Sequence, residues 1–346
     1  MQPGPRPDPR NALPIDLALQ GGGAHGAFTW GVLDRLLEEE WLLPDGISGT
    51  SAGAMNAAVL VAAHARGGRE AARAALEAFW RRVSEAALLS PLRRGPLDVL
   101  LGNWSLDNSP VYQGLEMLAR VFSPYDLNPR GTNPLSRILD EAIDFGALAR
   151  APIRLFVTAT RVRTGQPRIF RNAEITPPVL LASACLPTLF QAVEIEGEPY
   201  WDGGYSGNPT IMPLVRECDS HDTILVQINP VERAETPRTA SEIASRLNEI
   251  SFNAPLLKEL RMIAVLRQVA QPGQCEGALW ARMRIHRIAS TALAELGQGS
   301  KLNAEWAFLT LLRDTGREAA DRFLREHGAD LGRRSTLDLD ALTEPG

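Results

Sequence analysis

The chain has 346 residues, 45% of them apolar, and a formal net charge of −5. That length can bury a sizeable core as one large domain or two ordinary ones. The acidic balance excludes strong non-specific attraction to nucleic acid, and three scattered cysteines, Cys185, Cys218 and Cys275, exclude a disulfide framework or a cysteine zinc site.

Residues 1–13 are rich in proline and charge, lack a signal-type apolar core and read as a disordered tail. No stretch reaches the roughly 18–20 apolar residues that span a bilayer, so a soluble chain in a reduced, cytoplasmic compartment is expected. "PIDLALQ" (14–20) reads as a short buried strand, "GGGAHG" (21–26) as a loop, and residues 27–40 as a helix with Phe28, Val32 and Leu36 on one face. The unit then repeats: "DGISG" is a strand, "GTSAG" a turn, and residues 52–65 and 69–86 are helices. Strand-turn-helix units in series predict a parallel α/β sheet.

Residues 87–132 mix apolar clusters with Pro, Gly and Asn and read as an insertion, a common origin of lids. A capped helix in "NPLSRILDEAI", a strand in "IRLFVTATRV" with a hairpin partner in "QPRIF", and a short helix ended by Pro187 follow. "AVEIEGEPYWDGG" reads as two strands around a turn, and "DTILVQI" as a buried strand. Beyond residue 232 the pattern is helical: a helix capped by Thr239 or Ser241, an interruption at Pro255, a second helix over 256–269, and one or two more over 302–328.

Gly49-Thr50-Ser51-Ala52-Gly53 fits G-x-S-x-G. The pattern has a mechanical basis. A sharp strand-to-helix turn forces the serine toward φ > 0 and leaves room only for tiny residues two positions either side. Ser51 then stands at a helix N-terminus, where free N–H groups favour negative charge. "GGGAHG" also matches the dinucleotide fingerprint G-x-G-x-x-G, but Asp45 precedes the second strand whereas that fingerprint places its acid at the strand's end. In a hydrolase the same loop turns the N–H groups of Gly22, Gly23 and Ala24, with that of Ala52, toward a developing oxyanion. His25 reads either as a brace for this turn or as a polar edge beside the oxyanion.

A serine nucleophile needs a base. His64 lies 13 residues along the helix from Ser51, about 20 Å away, and His221, His286 and His327 read as structural. The stronger candidate is Asp202 in "YWDGGYSGNP", a carboxylate at a tight turn off a strand end, although Asp-Gly turns are common in their own right.

Taken in order, "GGGAHG", "GTSAG" and "DGG" resemble the motifs of the bacterial-type patatin-like phospholipase family. The resemblance implies a three-layer α/β/α fold with a mainly parallel sheet. It implies a Ser51–Asp202 dyad with Ser51 as nucleophile and Asp202 as general base. Gly22, Gly23, Ala24 and Ala52 would form the oxyanion hole, with Gly21, His25, Gly26, Gly49, Gly53, Gly203 and Gly204 in support. It implies hydrolysis of lipid acyl esters, as a phospholipase A, lysophospholipase or carboxylesterase, with no metal or cofactor. Family members usually carry Lys or Arg where this chain has His25.

The expected organisation is a catalytic domain over 14–232 with 87–132 as lid, a helical C-terminal extension over 233–330 packed on the same domain, and a tail over 331–346. Lipid or acyl ester is the expected partner, and nucleic acid is not. Leu88, Leu92, Leu100, Leu101 and Trp104, with Arg93 and Arg94, make 87–105 either an interfacial patch for peripheral membrane contact or a connector packed on the core. Oligomeric state is left open. Two other functions compete: an acyltransferase passing the acyl group from Ser51 to an acceptor other than water, and a non-enzymatic nucleotide-binding module built on the glycine loop.

Overall fold

A computed structural model describes residues 12–342 apart from positions 89, 120, 234 and 270–275. Cys275, the last four residues and nearly all of the expected N-terminal tail lie outside the described residues. Leu13, counted in that tail, already belongs to the first strand.

The two strand-turn-helix units form as expected. β1 (Leu13–Leu19) leads through a single 3-10 turn at Gly23–His25 into α1 (Gly26–Leu36), and β2 (Leu42–Gly49) leads into α2 (Ala52–Ala87). The two helices expected over 52–86 run end to end within α2, with helical geometry broken at Gly67 and Gly68. The insertion carries three short helices, α3 (Pro96–Leu100), α4 (Pro110–Ala119) and α5 (Pro124–Leu127). Then come α6 (Leu135–Ala142), α7 (Phe145–Ala149), β3 (Arg154–Arg161), β4 (Pro167–Arg171), α8 (Pro177–Ser183), β5 (Val193–Ile195) and β6 (Glu198–Asp202). The chain continues with α9 (Met212–Glu217), β7 (Asp222–Val226), α10 (Ala240–Val269), α11 (Glu276–Arg282), β8 (Arg284–Ile288) and α12 (Trp306–His327).

The strands form one sheet in the order β5-β6-β3-β2-β1-β7-β8, with β4 beside β3. β1, β2, β3, β7 and β8 are mutually parallel. Side chains alternate between two cores. Leu17, Leu19, Leu155, Val157, Ile224 and Val226 pack with Phe28, Val59, Leu60 and Phe308 on one face. Ala18, Phe156, Leu225 and Ile285 pack with Leu214, Leu256, Leu260 and Ile263 on the other. This is the three-layer arrangement, with apolar strands buried on both faces.

The pairing of β3 matters most for the site. Phe156 and Val157 pair with β2 on one edge and β4 on the other, whereas Ala159 and Thr160 pair with β6 and β4. A strand has two edges, so β2 and β6 occupy successive stretches of the same edge. Gly49, the last residue of β2, lies opposite Val157, and Asp202, the last residue of β6, lies opposite Ala159. The ends of these two strands therefore meet.

Three expectations in the C-terminal third need correction. Pro255 does not interrupt the helix; α10 runs through it, held by Leu256, Leu260 and Ile263 in the second core. The extension is mainly helical but adds β8 to the sheet beside β7. Residues 331–342, expected as a tail, fold back: Leu331 and Leu339 are buried, and the N–H groups of Thr336 and Leu337 donate to the Ile285 carbonyl. The anchor is buried Asp222, whose carboxylate accepts hydrogen bonds from Arg284 Nε (3.0 Å), His286 Nε2 (3.0 Å) and the Gly332 N–H (2.9 Å). Burial pushes its pKa up, but hydrogen bonds from His286 and Arg284 outweigh that and hold it at about 2. His286 is thus a structural partner on the sheet.

Candidate active site

Ser51 sits between the end of β2 and the start of α2 with φ 53° and ψ −124°, the positive-φ conformation that G-x-S-x-G predicts. The flanking glycines are explained by contact. A Cβ on Gly49 would stand 2.8 Å from the backbone of Gly53 and Ala54, and one on Gly53 would overlap the carbonyl oxygen of Leu19. The Ser51 N–H donates to Ser183 Oγ (2.9 Å), which itself donates to the Thr158 carbonyl on β3 (2.7 Å). The turn is thereby pinned to the sheet.

Asp202 ends β6 and is fully buried. Its carboxylate accepts a hydrogen bond from the Gly204 N–H (2.7 Å), and the Ser51 hydroxyl is near enough to favour its ionised form. Burial raises its pKa to about 7, and the Gly204 N–H and the Ser51 hydroxyl pull in the opposite direction. A carboxylate so placed is a far stronger base than free aspartate. Gly203 is required because a Cβ there would overlap the Thr158 carbonyl, and on Gly204 it would overlap the Phe252 ring. The segment after the turn is fastened to β2: Thr50 Oγ1 donates to the Gly207 carbonyl and Ser48 Oγ to that of Thr210, both at 2.6 Å.

The glycine loop is held by side chains. Asn208 Oδ1 accepts from the Gly21 N–H (2.7 Å), and Asn229 Nδ2 donates to the Gly21 carbonyl (2.9 Å). Gln20 Oε1 in turn accepts from the N–H groups of Ile228 and Asn229 (2.9 Å each). Gly23 has φ 59°, and a Cβ on it would overlap the Lys301 carbonyl oxygen. Gly26 lets the loop close on α2, since its Cβ would stand 2.7 Å from that of Ala52. Among the described residues the N–H groups of Gly22 and Gly23 meet no acceptor.

His25 is buried, with Nε2 2.7 Å from Ser300 Oγ. The Ser300 hydrogen goes to the Gly297 carbonyl (2.6 Å), so His25 Nε2–H is the donor. Burial, with the charge of Lys301 nearby, lowers its pKa to about 3. His25 is a neutral brace that ties the loop to the Gln298–Leu302 turn.

A cavity of about 380 Å³ joins these parts. Gly21, Gly22, Gly23, Ser51 and Asp202 line it, while Ala24 and Ala52, expected as oxyanion donors, are buried outside its lining. One wall is Tyr112 and Leu115 of α4, and another is Ala244, Asn248 and Phe252 of α10. No histidine lines it. His64 borders a separate cleft of about 800 Å³ with Asp45 and Arg69. Asp45, the acid nearest to the dinucleotide pattern, lies within β2 rather than before it, because that strand already starts at Leu42, and it is bonded to Arg154 and to the N–H groups of Asp219 and Ser220.

Among the described residues, the cluster with metal-ligand spacing is Asp16, Asp45 and Cys218, away from the cavity. Burial and the nearby Asp45 charge raise the Asp16 carboxyl to about 8, so a metal ion bound there would displace a proton. Sequence reasoning missed Ser183, Asn229 and Lys301. Asn208 was noted only beside its proline. Each contributes one side chain through a tertiary contact and belongs to no motif.

A family model described as "Patatin-like phospholipase" matches residues 17–215. Among curated proteins, none matches. Among solved structures, VipD from Legionella pneumophila is similar at 14% identity and a TM-score of 0.36, over 88% of this chain and 67% of that one. Full-length ExoU from Pseudomonas aeruginosa, solved with SpcU, is similar at 17% identity and a TM-score of 0.28, over 96% of this chain and 76% of that one.

The raised Asp202 pKa has a stability consequence. The native state holds this proton more tightly than the unfolded chain, so stability falls as pH rises from about 4 to about 7. Asp202→Asn is expected to gain on the order of 2–4 kcal/mol at pH 8 and little at pH 4. Calorimetry at both pH values checks this, and an equal effect at the two would contradict it.

Proposed function

The chain belongs to the patatin-like phospholipase family, by a match across more than half its length, and we propose that it cleaves lipid acyl esters with Ser51 and Asp202 alone as catalytic pair. Family membership makes it a lipid hydrolase in general terms. The observation that carries the finer reading is that Ser51 and a buried carboxylate whose pKa lies near 7 line one cavity with the glycine loop.

Ser51 Oγ attacks the ester carbonyl carbon while its proton passes to Asp202. The carbonyl oxygen becomes an oxyanion facing the N–H groups of Gly22 and Gly23. Collapse breaks the ester C–O bond, and the leaving alcohol takes the proton from Asp202. A water then gives its proton to Asp202 and attacks the acyl-serine. The second tetrahedral intermediate releases the carboxylic acid as Ser51 regains its proton. Nothing in this sequence calls for a histidine, a metal or a cofactor. Residues 14–232 act as the catalytic unit, and the C-terminal third closes one side of the cavity through Phe252 and Lys301.

A lipid must reach this cavity from a bilayer. No helix among the described residues is long and apolar enough to cross a membrane. The walls α4 and α10 instead carry exposed apolar residues on or just beyond them: Met117 (70% exposed), Val121 (77%), Leu247 (59%) and Ile250 (50%). We read these as a peripheral contact in which part of the 87–132 lid rests on the lipid surface.

Ser51→Ala and Asp202→Asn are each expected to lower kcat/KM on a water-soluble short-chain ester by about a thousandfold or more. In the parent protein kcat/KM should rise with pH through about 7 and level off above it, because the ionised carboxylate is the base. A flat profile, or a folded Asp202→Asn variant at full rate, would overturn the dyad. The double change Met117→Glu and Leu247→Glu is expected to reduce flotation with phospholipid vesicles several-fold and leave hydrolysis of the soluble ester within about twofold. Unchanged flotation would refute the membrane contact.

A further inference from the structure

We propose that Lys301 holds a phosphate group at the glycine-loop end of the Ser51 cavity, which makes phosphate-bearing acyl esters its preferred substrates. The substrate part of this inference rests on the reading of Ser51 as nucleophile. The residue lies in the C-terminal third, beyond the span of the family match.

Of the 36 basic side chains in the chain, only Lys258 and Lys301 are lysines. Lys301 is half-buried and shares the lining of the cavity with two carboxylates, Glu116 and Asp202. Its Nζ donates to Asn229 Oδ1 (2.9 Å), and among the described residues it forms no salt bridge. An ammonium has three donors, so two remain for a ligand.

Among the described residues no carboxylate forms an ion pair with Lys301. Glu249, the acid that acts on it, is taken up by Arg233 (2.5 Å) and Arg246 (3.2 Å). His25 beside it is neutral. Burial lowers the Lys301 ammonium to about 8, which leaves it mostly protonated at neutral pH but poorly solvated. A poorly solvated, incompletely bonded cation on a residue that lines a cavity gains most from an anion.

The position is built. The Lys301 carbonyl occupies the space left by the missing Cβ of Gly23. Ser300 is bonded to His25, and the Gly299 N–H donates to Asp107 Oδ1 (3.0 Å). The ammonium is thus anchored to the loop that presents the Gly22 and Gly23 N–H groups. A glycerophospholipid carries a phosphate and an ester carbonyl a few bonds apart, and the cavity lining holds both a cation and backbone donors for them. The chemistry is that of a phosphate monoester or diester, which either a lipid headgroup or free phosphate can supply.

Titration calorimetry on the Ser51→Ala chain tests this independently of turnover. The probes are octyl phosphate, octyl glucoside and inorganic phosphate. Lys301→Met and Lys301→Gln are each expected to weaken octyl phosphate at least about tenfold, Lys301→Arg to retain it within about threefold, and octyl glucoside to be unchanged. Octyl phosphate binding more tightly than inorganic phosphate would support the lipid headgroup as the source. Equal binding of the two would overturn the substrate preference and leave a free-phosphate site. Octyl phosphate binding that ignores Lys301, that falls in parallel with octyl glucoside in folded variants, or that is not detected would overturn the proposal. Lys301-dependent binding in a chain whose wild type hydrolyses no ester would sink the hydrolase reading and spare the anion site.

Discussion

One edge of β3 carries two strands end to end, and the site depends on that arrangement. β2 pairs with its first half and β6 with its second, so the strand that delivers Ser51 and the strand that delivers Asp202 finish two β3 residues apart. Small residues are needed wherever backbone fills the space between them. Gly49 and Gly53 let the chain turn at Ser51, and Gly203 lets the other turn lie against the Thr158 carbonyl. Thr50 and Ser48 then bond to the segment that follows Asp202, so the two turns move as one body.

The same closeness sets the electrostatics. Asp202 has lost nearly all contact with water, and among the described residues the Gly204 N–H is the donor bonded to its carboxylate, with the Ser51 hydroxyl close by. Burial therefore dominates and raises its proton affinity into the range useful for a base near neutral pH. The buried pair of Asp222 and His286 shows the opposite outcome. Several donors, one of them a guanidinium, hold that carboxylate ionised, and it serves the sheet rather than chemistry. Two buried aspartates thus differ in proton affinity because they differ in donors.

Much of this was legible in the sequence where the cause is local. The crossover units announce themselves by apolar runs separated by glycine turns, and G-x-S-x-G encodes a steric requirement within five residues. The edge strand β8 was not legible, because in "RIHRI" the apolar residues Ile285 and Ile288 stand three apart, without the alternation that marks a strand, and the segment follows a helix with scarcely a break. Pro255 misled in the other direction: a proline costs a helix one hydrogen bond and adds a steric clash, but packing of Leu256, Leu260 and Ile263 carries α10 through it. The folding back of residues 331–342 depends on Asp222 and Ile285, far away in the chain. Of the four expected oxyanion donors, Gly22 and Gly23 belong to the cavity lining, whereas Ala24, next along the same loop, and Ala52, after the serine, do not. Lys301 is a single residue in a short turn, and its importance comes from the loop it packs against.

The C-terminal third is part of the site rather than an appendage, since His25, Gly23 and Asn229 all lean on the turn that holds Ser300 and Lys301. The most direct measurement of the central claim is intact-mass analysis of fluorophosphonate labelling as a function of pH. A Ser51–Asp202 pair predicts one phosphonyl adduct per chain, absent from Ser51→Ala, formed at a rate that climbs through about pH 7 and is nearly abolished in Asp202→Asn. An adduct that survives Ser51→Ala, or labelling of Asp202→Asn at the parent rate, would contradict it.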